Sequence, residues 1–418
     1  MGKKLLTFLG AGDYKEITYL REEDNLEENY KDMTTKFIQE ALVNALGKDT
    51  EVYIFLTEYA KKRHWEPENE ENKPGLRKIF ENEGIKYKTI DIYDGKSNEE
   101  LWDNFDKIYS CFSDGDEIAI DITHSFRSIP IIFLGVLNYA KETKNIKVNG
   151  IYYGAFEASK DTEFNGNLIK VAPIFDLTLF NTLHKWSIGI NNFFKSGDAI
   201  ELCNAMDESV NHIIRNKKNK EANEAKMFKN LSLALKKFSE NLIASRGQLI
   251  SKSGIELKNK IEQNKNIGIK ELKPFKNIIN KLYECVEDFS GDMVNDTIIA
   301  IKLCKRFNLI QQAYTFLQEL IITKICIVLN KSISSVEDRN SAKDIICIAS
   351  KSNDNTTDYY EIGILYNNIS QYRNDINHGG FNQGAHKMKD FKEKLDVFLD
   401  EFIKFEKIYI EEEFIYEK

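Results

Sequence analysis

Polar and ionisable residues are concentrated at the mouth of one buried strand, in the segment 121–130 (DITHSFRSIP). The run 117–121 is typical of a central strand, and Pro130 suits the first turn of a following helix. Hydroxyl, imidazole and guanidinium donors just before a helix N-terminus suit a bound anion such as a phosphate. In the structural alternative, Asp121 caps the turn and His124 is buried and hydrogen-bonded. The candidate ligand-binding residues of this segment are Asp121, Thr123, His124, Ser125, Phe126 and Arg127.

A glycine-rich turn follows the first predicted strand, where the chain reads Gly10-Ala11-Gly12-Asp13-Tyr14. Glycines at such a position let backbone N–H groups approach a phosphate or a nucleobase. A dinucleotide fingerprint would have a third glycine at position 15, where Lys15 stands. The turn is therefore interpreted either as part of a ligand site or as a plain tight turn.

A third group of reactive side chains lies in the segment 371–380 (QYRNDINHGG), at the end of a predicted helix that two glycines stop. The spacing brings the guanidinium of Arg373 and the imidazole of His378 near one another, with Asn374 beside them. The imidazole can move the 2′-hydroxyl proton of RNA or protonate the leaving 5′-oxygen. The guanidinium can stabilise charge on the phosphorane, so the segment predicts RNA cleavage without a metal. The structural alternative is a salt-bridged arginine and a histidine at a helix C-terminus.

The elements that must position these residues change in kind near residue 175. Up to there, short apolar runs alternate with amphipathic segments, which predicts an α/β domain with a mostly parallel sheet and helices on both faces. Ligands in such sheets collect at the carboxyl ends of the strands, where two of the candidate segments lie. The predicted strands are 4–9, 52–56, 89–93, 117–121 and 148–153, and the predicted helices are 32–46, 72–83, 98–111 and 129–143.

The second half is predicted to be all-α, because long segments of 3.6-residue periodicity replace the strands. The stretch 246–274 contains three glycines and a proline and is interpreted as a looser connection. The predicted domains are an N-terminal domain 1–175, a helical bridging region 176–290 and a terminal domain 291–418. The predicted helices are 176–195, 198–215, 223–245, 275–288, 292–305, 309–330, 360–378 and 387–412.

Composition narrows the class of protein. A net charge of −8 argues against general nucleic-acid binding, although residues 211–280 hold 16 Lys and Arg against 6 Glu. That basic segment is either a track for a phosphate backbone or a solvated helical face. No run approaches the roughly 18 apolar residues of a membrane span, and the six cysteines form no CxxC pair. We therefore expect a cytoplasmic protein without a metal site or a disulfide framework. Four histidines without metal-ligand spacing are interpreted as structural: His64, His184, His212 and His386.

The segment Asp121-x-Thr123-His124-Ser125 resembles the DxTHG signature of CRISPR-associated proteins that carry a CARF domain, a Rossmann-like sensor of cyclic oligoadenylates. The glycine turn at 10–14 and the segments 57–60 (TEYA) and 152–157 (YYGAFE) are similar to other landmarks of that family. Segments 176–178 and 186–198 resemble its helical bridge, and 373–378 resembles the HEPN ribonuclease motif. Through this resemblance Thr57, Tyr153 and Gly154 join the candidate ligand-binding residues.

The resemblance implies a homodimer that carries one ring pocket across two CARF domains and a composite RNA-cutting site between two HEPN domains. It implies activation by a cyclic oligoadenylate, with cyclic tetra-adenylate expected, and cleavage of single-stranded RNA without a cofactor or a metal. Ser125 stands where the signature has glycine, so ring size and ligand choice stay open, as does degradation of the activator by the pocket.

Two other classes of protein remain as alternatives. One is a non-catalytic CARF sensor that regulates transcription or binds a partner through its helical half; such a protein would not require Arg373 and His378. The other is a metabolic nucleotide enzyme with a helical extension. The broken glycine fingerprint and the missing ribose-binding acid count against that enzyme.

Overall fold

The computed structural model describes residues 2–67, 74–124, 129–216, 220–351, 359–381 and 384–416. The chain divides into two compact units, Met1–Asn181 and Thr182–Lys418. The first unit is α/β and the second is helical, which confirms the predicted fold class. The domain boundaries near residues 175 and 290 stay predictions.

The first unit contains one mixed β-sheet. Its strands are β1 (Lys3–Leu9), β2 (Ile17–Leu20), β3 (Thr34–Thr35), β4 (Glu51–Leu56), β5 (Tyr87–Asp91), β6 (Glu117–Asp121), β7 (Lys147–Gly154), β8 (Lys160–Phe164) and β9 (Asn167–Asp176). Neighbours follow the order β3-β2-β9-β7-β6-β1-β4-β5, and β8 pairs with β9. The central pairs from β7 to β5 are parallel, so their carboxyl ends meet at one edge.

Helices connect the central strands of this sheet. They are α1 (Leu26–Met33), α2 (Ile38–Leu46), α3 (Glu58–Ala60), α4 (Leu76–Asn82), α5 (Asn98–Ser110) and α6 (Ile129–Lys144). A π-helical turn, Lys61–Trp65, continues α3. Asn25 and Ser97 cap α1 and α5 with their side chains, so both helices begin at residues that satisfy first-turn N–H groups.

Both faces of the sheet are covered, as the predicted fold class requires. Leu5 and Leu9 of β1 belong to one hydrophobic core, whereas Leu6 and Phe8 belong to another. All four side chains are buried. Because successive side chains of a strand point to opposite faces, the near-continuous apolar run of β1 reads as a strand buried on both sides.

The second unit consists of helices around one continuous core. Buried aromatic side chains run through it from Trp186 to Phe402. A short 3₁₀ helix, Lys270–Phe275, precedes α11. The helices are α7 (Thr178–Ser196), α8 (Ile200–Asn216), α9 (Lys220–Ile243), α10 (Gly247–Asn264), α11 (Lys276–Tyr283), α12 (Met293–Arg306), α13 (Ile310–Val328), α14 (Val336–Ala349), α15 (Tyr360–Asn377) and α16 (Met388–Tyr416).

The prediction of a looser connection at 246–274 is wrong, because most of this stretch forms α10. Glycines in that stretch suggested a loop, yet Gly254 lies inside the helix. A Cβ atom at Gly254 would collide with the Phe289 ring, so the glycine allows close packing. Helix α14 was not predicted from the sequence.

The prediction of a continuous helix over 32–46 is partly wrong, and several strands were not predicted. Thr34–Thr35 form β3 between α1 and α2, because β-branched residues pair here with β2. The strands β2, β8 and β9 were not predicted either. An Asn165-Gly166 turn with positive φ at both residues joins β8 to β9, and this dipeptide is a typical hairpin signal.

Candidate functional site

The predicted sensor residues lie at the carboxyl ends of the central strands of the first unit. β1 leads into Gly10, β4 into Thr57 and β6 into the loop after Asp121, while β7 ends at Gly154. These four strands are neighbours in the order β7-β6-β1-β4, and they run parallel. The fold therefore brings separate polar segments of the chain to one edge.

Tyr14 closes the glycine turn onto its neighbours. The Gly10 N–H donates to the Tyr14 hydroxyl oxygen at 2.7 Å. The Tyr14 ring contacts two imidazoles, with centroid distances of 4.2 Å to His64 and 4.3 Å to His124. Nε2 of His64 lies 2.7 Å from the carbonyl oxygen of Gly12. His64, Tyr14 and His124 are called the Tyr14 cluster below.

Glycine is required at position 10 because two loops meet there. A Cβ atom would lie 2.9 Å from the backbone oxygen of His124, which is closer than real Cβ atoms approach. Gly12 has open space instead, and it is exposed together with Asp13, whereas Ala11 is half-buried. The turn therefore presents its second half to solvent and packs its first residue against the loop after β6.

Burial disfavours the charged form of both imidazoles in the Tyr14 cluster. Desolvation lowers the pKa of His124 to about 4, and the nearby His64 acts in the same direction. Burial also lowers the pKa of His64. Nε2 of His124 and Nδ1 of His64 are buried and have no hydrogen-bond partner among the residues that the structure describes. Buried polar atoms are normally paired, so these two nitrogens call for a ligand, a water or another partner.

Asp121 is fully buried and holds the loop after β6. Its Oδ2 accepts a hydrogen bond from the Thr7 hydroxyl at 2.6 Å, and its Oδ1 accepts one from the Thr123 N–H at 2.9 Å. The Thr123 hydroxyl in turn accepts from the Gly154 N–H at 2.8 Å. Burial raises the pKa of Asp121, and the hydrogen bonds from Thr123 and Thr7 oppose that rise. Asp121 and Thr123 thus position the loop and tie it to the end of β7.

The segment after β4 contributes residues that the sequence analysis did not assign to the site. The side chain of Thr57 caps the N-terminus of α3. Arg63 forms an ion pair with Asp13 and donates to the Tyr59 hydroxyl at 2.7 Å. Arg63 was not singled out, and His64 was interpreted as structural. The position of both residues indicates a place at the site, since both follow a central strand within two helical turns.

The end of β7 is shaped by a tyrosine and a glycine. The Tyr153 hydroxyl donates to Glu157 at 2.5 Å, and this carboxylate raises the pKa of Tyr153 to about 12. A Cβ atom at Gly154 would lie 2.7 Å from Cδ1 of Ile38, so a glycine is needed for close packing on α2. The candidates Ser125, Phe126 and Arg127 lie outside the described residues.

In the second unit, α15 ends at Asn377, one residue before its predicted end. His378 is the capping residue and its N–H donates to the Asn374 carbonyl at 2.8 Å. His378 and Asn374 are exposed, and Arg373 is half-buried. Nε of Arg373 is buried without a partner in the described part of the chain. The structure thus leaves a guanidinium, an amide and an imidazole unengaged by described side chains at one helix end.

Asp375 and His386 form a pair beside this helix end. Oδ2 of Asp375 accepts from the His386 backbone N–H at 2.8 Å and lies 2.9 Å from Nδ1 of the imidazole. These bonds lower the pKa of Asp375. The His386 ring stacks on Tyr372 with a centroid distance of 4.1 Å. From the sequence, His386 was interpreted as structural, because it has no metal-ligand spacing. Its pairing with Asp375, eleven residues away, has no local pattern that would predict it.

A cavity of about 410 Å³ adjoins the pair. The residues that line it include Gly379, Gly380 and His386, together with residues 308–312, which lead into α13 and form its start. Leu309, the N-cap residue of α13, makes no capping hydrogen bond with its side chain in the described part of the chain.

Within the described ranges, no three His, Cys, Asp or Glu side chains are grouped so as to hold a metal ion. The six cysteines are free thiols, five of them buried. None of the helices in the described ranges is long and apolar enough to cross a membrane.

A parallel sheet with polar loops at its carboxyl edge is the arrangement of a Rossmann-like ligand-binding domain. Residues 4–157 match the family model described as "CRISPR system endoribonuclease Csx1, CARF domain". The chain is also 36% identical over 129 residues to a CRISPR-associated protein of Methanocaldococcus jannaschii. That match covers 30% of this chain and 19% of the archaeal protein. The predicted resemblance to CARF-containing CRISPR-associated proteins is thereby confirmed for the N-terminal part of the chain.

Proposed function

We propose that the chain is a cytoplasmic, metal-independent endoribonuclease of type III CRISPR defence, which a cyclic oligoadenylate activates. The CARF match over residues 4–157 carries this proposal, because the matching family is described as an endoribonuclease. The helix end of the second unit supports it, because its half-buried arginine and exposed histidine are groups that can cleave RNA without a metal.

The proposed ring site is the carboxyl edge of the central strands. The Tyr14 cluster offers aromatic rings and two imidazole nitrogens that lack a described partner. Nε2 of His64 donates to the Gly12 carbonyl, so its Nδ1 would accept from an N–H group of a nucleobase. Nε2 of His124 would bond to a nucleobase edge or a phosphate oxygen. The exposed backbone at Gly12 and Asp13 leaves room for close approach, and Ser125 and Arg127 would add donors to phosphates. Four phosphates suit a pocket shared by two copies, so cyclic tetra-adenylate is the expected activator and a ring of six is the alternative.

The proposed RNA-cutting site is the end of α15. The sequence spacing predicted Arg373 and His378 near one another, but five positions along a helix, at 100° each, place two side chains about 140° apart. The two groups of one copy are therefore not expected to face the same phosphate. Two copies of this helix end that face each other across a two-fold axis would bring both groups together. His378 then takes the proton from O2′ as the O2′–P bond forms, while Arg373 stabilises the phosphorane. The P–O5′ bond then breaks, and the 5′-oxygen takes up a proton and leaves as a 5′-hydroxyl. Asn374 offers an amide to a phosphate oxygen.

The test is an RNA-cleavage assay with and without cyclic tri-, tetra- and hexa-adenylate, in the presence of a chelator. We expect cutting to require a ring, to tolerate the chelator and to leave 2′,3′-cyclic phosphate ends. Arg373→Ala and His378→Ala should abolish cutting at unchanged melting temperature. His212→Ala is the matched control, because His212 is exposed on α8.

Three outcomes would contradict the proposal. Full cutting by the His378→Ala protein would remove the imidazole from the mechanism. Strict dependence on a divalent ion would exclude the metal-free route. Tight ring binding without any RNA cutting would favour the alternative of a non-catalytic sensor.

A further inference from the structure

We propose that His386 is the general acid of the RNA-cutting site and that Asp375 holds it for this role. The assignment rests on the proposed ribonuclease function, because it gives a second proton-transfer group to the same site. Cleavage by the 2′-hydroxyl needs two proton transfers. One proton leaves O2′ as the O2′–P bond forms, and one reaches O5′ as the P–O5′ bond breaks. His378 supplies a group for the first transfer, and His386 supplies one for the second.

Asp375 gives His386 the geometry of an oriented acid. The carboxylate accepts from both the backbone N–H and Nδ1 of the same residue, at 2.8 and 2.9 Å. With Nδ1–H donated to the carboxylate, Nε2 is the nitrogen that is left to react. The carboxylate also stabilises the imidazolium, which is the form that can give a proton away. Tyr372 and Phe391 fix the ring from two sides, at 4.1 and 5.8 Å.

His386 is hydrogen-bonded to Asp375. Asp375 lies between Arg373 and His378 in the sequence of α15 and its cap, so the imidazole lies next to the helix end of the proposed site. Tyr372, on which the imidazole stacks, directly precedes Arg373 in α15. The cavity that His386 lines continues to Gly379, which directly follows His378. A volume of about 410 Å³ is in the range of ligand pockets. The N-terminus of α13, which the side chain of Leu309 does not cap, also lines this cavity and favours a negatively charged occupant such as a phosphate.

The exposed fraction of the side chain also differs between the two members of the pair. The Asp375 side chain is 6% exposed, whereas the His386 side chain is 33% exposed. The carboxylate is therefore sheltered from water, and the imidazole still reaches the surface of the cavity. In such a pair, the orienting group needs to be buried and the reacting group needs to be accessible.

The competing explanation is a structural tie that returns the chain to α15 after the two glycines. Two substitutions distinguish the roles. His386→Asn keeps an N–H donor near the position of Nδ1, so the bond to Asp375 is retained while Nε2 is lost. His386→Gln places an amide near the position of Nε2, and an amide cannot act as a proton donor to a leaving oxygen. Neither substitution removes the backbone N–H bond to Asp375.

The experiment compares two substrates for the ring-activated protein. Both are 2′-O-methyl RNA strands with one unmodified ribonucleotide, so that one bond can be cut. In the second substrate, sulfur replaces the leaving 5′-oxygen. A thiol is a much stronger acid than an alcohol, so the sulfur leaves without a proton. We expect both His386 variants to lose about 10²- to 10³-fold on the oxygen substrate and less than about tenfold on the sulfur substrate.

Controls accompany this comparison. His378→Ala should lose activity on both substrates, because it removes the group that activates O2′. His212→Asn should match the wild type on both, and melting temperatures should stay within a few degrees. Undiminished cutting of the oxygen substrate by both His386 variants, or equal losses on the two substrates, would overturn the assignment. Failure of the wild type to cut either strand with any ring would overturn the proposed function and the assignment with it.

Discussion

The hydrogen bond from Thr7 to Asp121 offers a quantitative test of how the sheet positions the loop after β6. Both side chains are 0% exposed, and the two oxygens are 2.6 Å apart. Thr7→Val preserves the shape of the side chain but removes the donor, so a buried carboxylate loses one of its close partners. A hydrogen bond to a charged group contributes roughly 1.5–3 kcal/mol, and we expect the first unit to lose about 2 kcal/mol at pH 7.5.

Thr7→Ser is the matched control. It keeps the hydroxyl and removes only a methyl group, which costs about 1 kcal/mol in a core. For a unit of the size of Met1–Asn181, each kcal/mol corresponds to about 2–4 °C in melting temperature. The valine variant should therefore melt about 4–8 °C below the wild type, and the serine variant about 2–4 °C below it.

The loss should also depend on pH. Burial raises the pKa of Asp121, so the folded protein takes up this proton at a higher pH than the unfolded chain, whose carboxyl titrates near 3.9. Above the raised pKa the carboxylate is charged and needs the Thr7 donor. As the pH falls through that value towards about 3.9, the protonated carboxyl no longer needs it, and the difference between wild type and Thr7→Val should shrink.

Hydrogen exchange of peptides that cover β1 and β6 measures this stability within the first unit. Wild type, Thr7→Val and Thr7→Ser would be compared at pH 7.5 and at about pH 4, near the ordinary value of an unfolded carboxyl, with intrinsic exchange rates taken into account. Equal protection in the two variants would refute the contribution of the hydrogen bond. A difference that does not change with pH would refute the role of the ionised carboxylate.

Three further predictions concern the sensor and the assembly. His124→Ala and Arg127→Ala should raise the ring concentration for half-maximal RNA cutting and keep the maximal rate; unchanged titrations in both would misplace the sensor site. Gly154→Ala should destabilise the first unit by about 1–3 kcal/mol in thermal unfolding, because of the 2.7 Å contact with Ile38, and an added Ile38→Val should recover part of it. Mass measurement without ligand should show a dimer, and a fully active monomer would contradict the composite site.

The central sheet could be predicted because its strands carry their own signal. β1 and β4 are almost continuous apolar runs, which is what burial on both faces demands. β8 and β9 are different, since β8 (KDTEF) is polar and β9 contains Pro173. Their pairing depends on the Asn165-Gly166 turn and on neighbours distant in sequence, so strand composition alone does not reveal them.

The candidate site also contains some residues that could be predicted from the sequence and others that could not. Residues that follow a strand, such as Gly10 and Thr123, could be named because topology alone sends them to the carboxyl edge. His64 and His386 could not, because each depends on a partner that the fold supplies. His64 meets a carbonyl 52 residues away, and His386 meets Asp375 across a glycine turn. Long-range pairs of this kind have no local pattern.

The buried free thiols allow the local opening of each unit to be measured separately. Burial raises the pKa of Cys111 to about 11 and that of Cys203 to about 12, so almost no reactive thiolate exists at these two residues in the folded protein at neutral pH. An alkylating reagent therefore modifies these residues only when their surroundings open. Cys111 lies in the first unit and Cys203 in the second, so timed alkylation followed by peptide mass mapping separates the opening rates of the two units in a single unlabelled sample.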